Sequence, residues 1–108
     1  MVYAEPRYSN SNKITLSITY SSDEAVCYVK IKGDIGTTSI TNCTVSLTDS
    51  NGNEVKSWSN LSSQSTMLIC TKTASSVTKG ETYTLSVSAY VNRNGSSEHV
   101  TDSISKKY

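Results

Sequence analysis

The chain contains few of the residues from which most metal, redox and hydrolytic sites are built. It has one histidine, His99, and three cysteines, Cys27, Cys43 and Cys70, whose spacings do not resemble the close pairs that bind zinc or iron–sulfur clusters. Its five glycines form no phosphate-binding loop and flank no serine nucleophile. The sequence therefore predicts no catalytic site, no metal and no cofactor.

Bulky apolar residues are also scarce. Phenylalanine is absent, and proline and tryptophan occur once each. Serine and threonine make up about a third of the chain, yet Val, Ile, Leu, Tyr and Thr recur in alternation more often than in a disordered chain. With 108 residues, the chain is long enough for one domain with a single core.

Charge and hydropathy exclude two further classes of partner. The formal net charge is +1, and acidic and basic residues are interspersed, so the sequence has no basic stripe for the phosphates of a nucleic acid. No segment approaches the roughly 20 consecutive apolar residues of a membrane-spanning helix. We therefore expect neither nucleic-acid binding nor a membrane span.

The first twelve residues are predicted to form an N-terminal arm without a firm register, because they contain Pro6 and end in Asn and Ser residues. Small or aliphatic residues occupy the two positions that a signal peptidase recognises if cleavage follows Ala4. This favours the remnant of an export signal. A chance triplet beside an initiating methionine is the alternative.

Strict alternation of apolar and polar residues is the strongest pattern in the chain. Over residues 83–91 it predicts a strand with one buried face, and the following Asn94-Gly95 pair predicts a hairpin. No window shows the apolar spacing of a helix. Strands are predicted at residues 13–20, 25–32, 40–48, 54–58, 66–71, 81–92 and 98–106, with a polar loop at 60–64. The predicted fold is an all-β antiparallel sandwich of two sheets, with about seven strands over residues 13–108.

Around the longest predicted strand, an apolar residue, a glycine turn and a tyrosine precede the alternating run, and a second glycine follows it: Val77, Gly80, Tyr83, Leu85, Val87, Ala89, Gly95 and Ser96. This spacing resembles that of fibronectin type III and related immunoglobulin-like domains, and it implies an immunoglobulin-like (fibronectin type III-like) sandwich. The resemblance implies that Tyr83 forms a tyrosine corner, with its hydroxyl bonded to backbone within residues 76–80. Lys79 stands where that family usually has proline, and the family's early-strand tryptophan is missing. The chain is also similar to small secreted domains of Gram-positive bacteria that have no assigned activity.

The topology that this resemblance implies places the second and third strands in opposite sheets. Cys27 and Cys43 lie eight residues before and eight residues after Ile35, the midpoint of the connection, so both should point inward at the same depth. This predicts a Cys27–Cys43 disulfide in an exported protein. A Cys27–Cys70 bond and three reduced, buried thiols are the alternatives.

Three aromatic residues are candidates for a surface on which a sugar ring could stack: Trp58, with Tyr28 or Tyr90 nearby. The alternative role for Trp58 is to cap the open edge of the core.

The loop at residues 92–97 is where some fibronectin domains place an integrin-binding tripeptide. Here the loop contains Arg93, Asn94 and Gly95, which is a different tripeptide. Arg93 and Asn94 are accordingly candidate contacts for a ligand.

Together these features predict a non-enzymatic interaction or adhesion module that is secreted or displayed at a cell surface. Its expected partner is a protein or a glycan, bound through the loop ends or an exposed sheet face. A carbohydrate-binding module that uses Trp58 and nearby tyrosines is one alternative. A purely structural spacer in a cell-surface assembly is another.

Overall fold

The computed structural model describes residues 12–108, which form two antiparallel sheets. The strands are β1 (Lys13–Ser21), β2 (Glu24–Lys32), β3 (Thr37–Thr48), β4 (Glu54–Ser63), β5 (Met67–Ser75), β6 (Thr82–Arg93) and β7 (Ser96–Lys107). The predicted all-β sandwich is confirmed. The predicted arm, residues 1–12, lies outside the described residues except for Asn12.

Strand order gives a three-stranded sheet, β1-β2-β5, and a four-stranded sheet, β4-β3-β6-β7. The chain passes from one sheet to the other between β2 and β3, between β4 and β5, and between β5 and β6. The central strand β6 pairs with β3 on one side and with β7 on the other. One face of β6 therefore lines the core, and its other face lies on the outer surface of the sheet.

The core consists of inward side chains from both sheets. On β6 the alternation places Leu85, Val87 and Ala89 inward, and each is no more than 3% exposed. They pack with buried residues of the neighbouring strands: Ile18, Ala25, Cys27, Val29, Ile31, Ile40, Cys43, Val45, Leu47, Leu68, Ala74, Val77, Tyr83 and Val91. Apart from Cys27, Cys43 and Tyr83, these buried residues are aliphatic, and the chain has no phenylalanine.

The polar loop predicted at residues 60–64 is wrong, because β4 continues to Ser63. A bulge lies within β4, where the pairing shifts between Trp58 and Leu61, and Asn60 adopts a φ of 59°. A second bulge in β3 places Asn42 at a φ of 51°. Asparagine tolerates the left-handed region better than most residues. The extra residue in β4 interrupts the alternation of apolar and polar residues. The sequence of residues 60–64 therefore has the pattern of a loop.

Tyr83 anchors the segment that precedes β6. The residue is 3% exposed, and its hydroxyl accepts a hydrogen bond of 2.8 Å from the backbone N–H of Thr78. Thr78 lies within the stretch where the fibronectin resemblance places the partner of this hydroxyl. The bond therefore ties the turn around Gly80 to the start of the central strand.

Two more tyrosines join the sheets beside Tyr83. The rings of Tyr20 from β1 and Tyr108 stack with a centroid distance of 4.5 Å, and the Tyr20 hydroxyl donates to the carbonyl of Lys106 at 2.6 Å. The hydroxyl of Tyr108 accepts a hydrogen bond of 2.9 Å from the N–H of Asp23. We call Tyr20, Tyr83 and Tyr108 the tyrosine cluster. It closes one end of the sandwich with contacts that cross from one sheet to the other.

Replacing Tyr83 with phenylalanine tests the contribution of this anchor. Tyr83→Phe keeps the ring but leaves the part-buried N–H of Thr78 without its partner, so the free energy of unfolding should fall by about 1 kcal/mol. Urea denaturation followed by circular dichroism measures it. Tyr90→Phe is the matched control, because Tyr90 is 40% exposed on an outer face. Equal losses in the two variants would contradict the role assigned to the Tyr83 hydroxyl.

Candidate functional site

The outer face of the four-stranded sheet carries two rows of hydroxyl side chains. Each row crosses β3, β6 and β7: Thr44, Ser88 and Thr101 form one, and Ser46, Ser86 and Ser103 form the next. Successive residues of a strand point to opposite faces, and the residues between those of β3 and β6, Val45 and Val87, are buried in the core. The six hydroxyl residues therefore face outward, and we call them the hydroxyl face.

The hydroxyl face lines a shallow, open depression of about 570 Å³, which also borders Val87 and Asp102. Small-molecule sites span roughly 300 to 1,000 Å³. The depression is thus large enough for a ligand, and its open shape suits an extended molecule lying across the strands.

The six hydroxyls of the hydroxyl face make no hydrogen bond to another group within residues 12–108, whereas the neighbouring rows are paired. On one side, the hydroxyls of Thr84 and Ser105 bond to each other at 2.7 Å. On the other side, the Asn92 amide donates to the hydroxyls of Ser39 at 3.0 Å and Thr41 at 2.9 Å. Free hydrogen-bonding capacity on this sheet is therefore concentrated in the depression.

An aromatic pair borders the hydroxyl face. Tyr90 follows Ser88 by two positions on the same face of β6, and His99 lies directly opposite it on β7. Their rings stack with a centroid distance of 4.8 Å and an interplanar angle of 26°. Two residues along a strand span about 6.5 to 7 Å. The exposed Tyr90 ring thus stands immediately beside the first row of hydroxyls.

Charge distinguishes the hydroxyl face from the outer face of the three-stranded sheet. On the three-stranded sheet, Lys13 of β1 lies opposite Lys32 of β2, and Lys30 is nearby on the same face. The hydroxyl face contains no charged residue, and the charges on the outer face of its sheet, Glu54 and Lys107, lie farther along the strands. The two faces therefore suit different chemical partners.

The aromatic residues that the sequence suggested as a sugar platform do not come together. Trp58 pairs with Val45, is half-buried and packs against the core, as expected for a residue that caps an open edge. Tyr28 lies on the outer face of the three-stranded sheet, between β1 and β5. Tyr90 is on the other sheet. The three side chains occupy three different surfaces.

The two loop candidates lie at the turn between β6 and β7. The guanidinium of Arg93 is 3.7 Å from the carboxylate of Asp34, which belongs to the connection between β2 and β3. This ion pair links two loops at one end of the sandwich. Asn94 is exposed in the turn, next to Gly95 with a φ of 81°. Neither residue belongs to the hydroxyl face.

The disulfide predicted between Cys27 and Cys43 is not formed in the structure, which holds Cys27, Cys43 and Cys70 as free thiols. Cys27 is on β2 and Cys43 is on β3, in opposite sheets. Facing sheets lie about 10 Å apart, whereas a disulfide needs Cα atoms within about 7 Å. Equal depth in the sandwich, which the sequence did indicate, is therefore insufficient for a bond.

Burial controls the chemistry of these thiols. Desolvation raises the pKa of Cys27 and that of Cys43 to about 11, and the nearby Cys70 thiol adds to both shifts. Burial also raises the pKa of Cys70, while the charge of Lys72 lowers it. All three thiols are therefore protonated and weakly nucleophilic near neutral pH.

Two classes of site can be examined directly in the described part of the chain. Within residues 12–108, no group of three or more His, Cys, Asp or Glu side chains could hold a metal ion. No helix in the same range is long and apolar enough to cross a membrane.

Comparison with solved structures finds a similarity to part of a β-glucuronidase from Parabacteroides merdae, whose crystal structure has glycerol in the active site. The TM-score is 0.52 with 16% sequence identity, over 87% of this chain and 13% of the glucuronidase chain. At this identity the similarity concerns the fold alone, and the chain spans about an eighth of that protein's length. Comparisons with protein-family models and with curated proteins give no match.

Sequence reasoning did not identify the hydroxyl face. Serine and threonine at alternate positions ordinarily mark the solvent side of a strand, and only the register of β3, β6 and β7 shows that they form continuous rows. One signal was available. The outward positions of the central strand, Thr84, Ser86 and Ser88, contain no charged residue.

Cysteine labelling without reductant tests the state of the thiols. In the native protein, iodoacetamide at pH 8 should modify the half-buried Cys70 first, and Cys27 and Cys43 should react only after unfolding in urea. Mass spectrometry should then count three modified cysteines. Cys70→Ser, as the control, should lose only the early modification. A linked Cys27–Cys43 peptide, or rapid native labelling of Cys27, would contradict the structure.

Proposed function

We propose that this chain is a non-enzymatic binding module of an exported protein that acts at a cell surface, and that the hydroxyl face with Tyr90 is its binding surface. The proposal includes membership of the fibronectin type III-like group of immunoglobulin-like sandwiches. The strand orders β1-β2-β5 and β4-β3-β6-β7 support that group, as does the bond between Tyr83 and Thr78.

The observation that carries the proposal is an uncharged, hydrogen-bonding surface on the broader sheet. Soluble domains usually have charges of both signs distributed over their surfaces. Here the charges lie elsewhere, while six hydroxyls with no partner in the described chain surround one depression. Binding surfaces are depleted of charged residues at their centres and enriched in tyrosine, which fits a face bordered by Tyr90.

Export is part of this proposal because the sequence resembles small secreted domains of Gram-positive bacteria. The free thiols neither require nor oppose it, because burial protects Cys27 and Cys43 from oxidants.

The two alternatives differ in what they require. A sugar platform centred on Trp58 is disfavoured, because that side chain packs against the core. A structural spacer needs no binding surface at all, and it predicts no saturable binding to any cell.

Flow cytometry with the fluorescently labelled chain tests the proposal on intact Gram-positive bacterial cells and cultured epithelial cells. We expect saturable binding to at least one cell type. Thr101→Arg places a long charged side chain in the hydroxyl face and should weaken that binding at least tenfold. Thr19→Arg is the matched control, because Thr19 is exposed on the outer face of the three-stranded sheet, and it should bind like the unmodified chain.

Circular dichroism of both variants should show an intact fold, since each substituted side chain is exposed on an outer strand. The proposal is wrong if no cell type is bound saturably. It is also wrong if Thr19→Arg weakens binding as much as Thr101→Arg does.

A further inference from the structure

We infer that the ligand of the hydroxyl face is an uncharged oligosaccharide, with one sugar ring stacked on Tyr90 and the adjoining rings hydrogen-bonded to the two hydroxyl rows. The inference rests on the proposed function, because it assumes that this face is the binding surface. It adds the chemical class of the ligand and its placement on the face.

Hydrogen bonding is the first argument. A serine or threonine hydroxyl both donates and accepts, and so does each hydroxyl of a sugar. Neighbouring hydroxyls within a row lie on strands about 4.8 Å apart, and the rows are about 6.5 to 7 Å apart. The hydroxyl face thus offers a regular grid of two-way hydrogen-bonding groups. Short side chains also lose little rotamer freedom when a ligand orders them.

Stacking is the second argument. Tyr90 is 40% exposed, and its ring stacks on that of His99, at 4.8 Å between centroids, beside the row that contains Ser88. Aromatic rings present an apolar face with a polar rim, which suits the mixed surface of a pyranose. A chain of sugars anchored on Tyr90 can therefore run onto the hydroxyl rows without changing sheet face.

Charge decides between classes of glycan. No lysine or arginine lines the depression. An anionic glycan would therefore find no opposite charge there. A protein partner fits less well than a sugar, because four of the six residues of the hydroxyl face are serines and serine is depleted at protein interfaces.

Isothermal titration calorimetry with defined hexasaccharides tests the ligand class. The probes are cellohexaose, maltohexaose and chitohexaose, which are uncharged and differ in linkage or substituent, and the hyaluronan hexasaccharide, which is anionic. At least one uncharged probe should bind saturably, and the hyaluronan probe should bind at least tenfold more weakly than that one.

Variants then test the placement of the ligand. Tyr90→Ala removes the stacking ring and should weaken binding of the uncharged probe at least tenfold, whereas Tyr90→Phe keeps the ring and should stay within about threefold. Thr19→Ala, on the other sheet, should bind as the unmodified chain does.

Three outcomes would overturn the inference while the proposed function stands, provided that the chain still binds cells through the hydroxyl face. These are no binding of any uncharged hexasaccharide, tighter binding of the hyaluronan probe, and equal affinity of Tyr90→Ala and the unmodified chain. If neither cells nor sugars are bound, the inference and the proposed function fail together.

Discussion

The register of the central strand β6 is the constraint on which the rest of the structure depends. Its pairing with β3 and β7 places Leu85, Val87 and Ala89 in the core, and the same pairing places Ser86 and Ser88 outward. A shift by one residue would exchange the two sets, burying hydroxyls and exposing aliphatic side chains. Core stability and the composition of the outer face are therefore set by a single alignment of strands. Any ligand of the hydroxyl face depends on the packing behind it.

Tyrosine rings close one end of the sandwich, in a chain that has no phenylalanine. Branched aliphatic side chains fill the space between the sheets along most of its length. At one end, larger tyrosine rings fill this space instead. The hydroxyl of Tyr20 in the first sheet donates to the carbonyl of Lys106 in the second, and the hydroxyl of Tyr83 accepts a hydrogen bond from the turn before β6. Burial of Tyr20 raises the pKa of its hydroxyl, with the nearby Tyr83 adding to the shift, so that hydroxyl stays protonated and able to donate. The end with the tyrosine cluster is thus tied across the sheets, while the middle of the four-stranded sheet presents an open surface.

Much of the fold could be predicted from the sequence, because alternation reports directly on which side of a strand is buried. It identified the inward set on β6. The Tyr83 hydroxyl bonds to Thr78, within the residues 76–80 that the fibronectin resemblance indicated. Alternation failed at residues 60–64, where the bulge at Asn60 interrupts it. It also failed for Cys27 and Cys43, because equal depth in two sheets says nothing about the distance across the gap. The hydroxyl face could not be predicted for a different reason. Its six residues lie on three strands, and they form one surface only through the pairing of β3, β6 and β7.

The central claim is that an uncharged oligosaccharide binds on the outer face of the four-stranded sheet. It is tested most directly by two-dimensional ¹H–¹⁵N NMR of the labelled chain during titration with cellohexaose, maltohexaose and chitohexaose. The largest saturable amide shifts should map to Ser86, Ser88 and Tyr90 of β6 and to the adjoining residues of β3 and β7. The amide shifts of β1 and β5 should stay unchanged. Shifts that map instead to the lysine-bearing outer face of the three-stranded sheet, or no saturable shift with any of the three sugars, would contradict the claim.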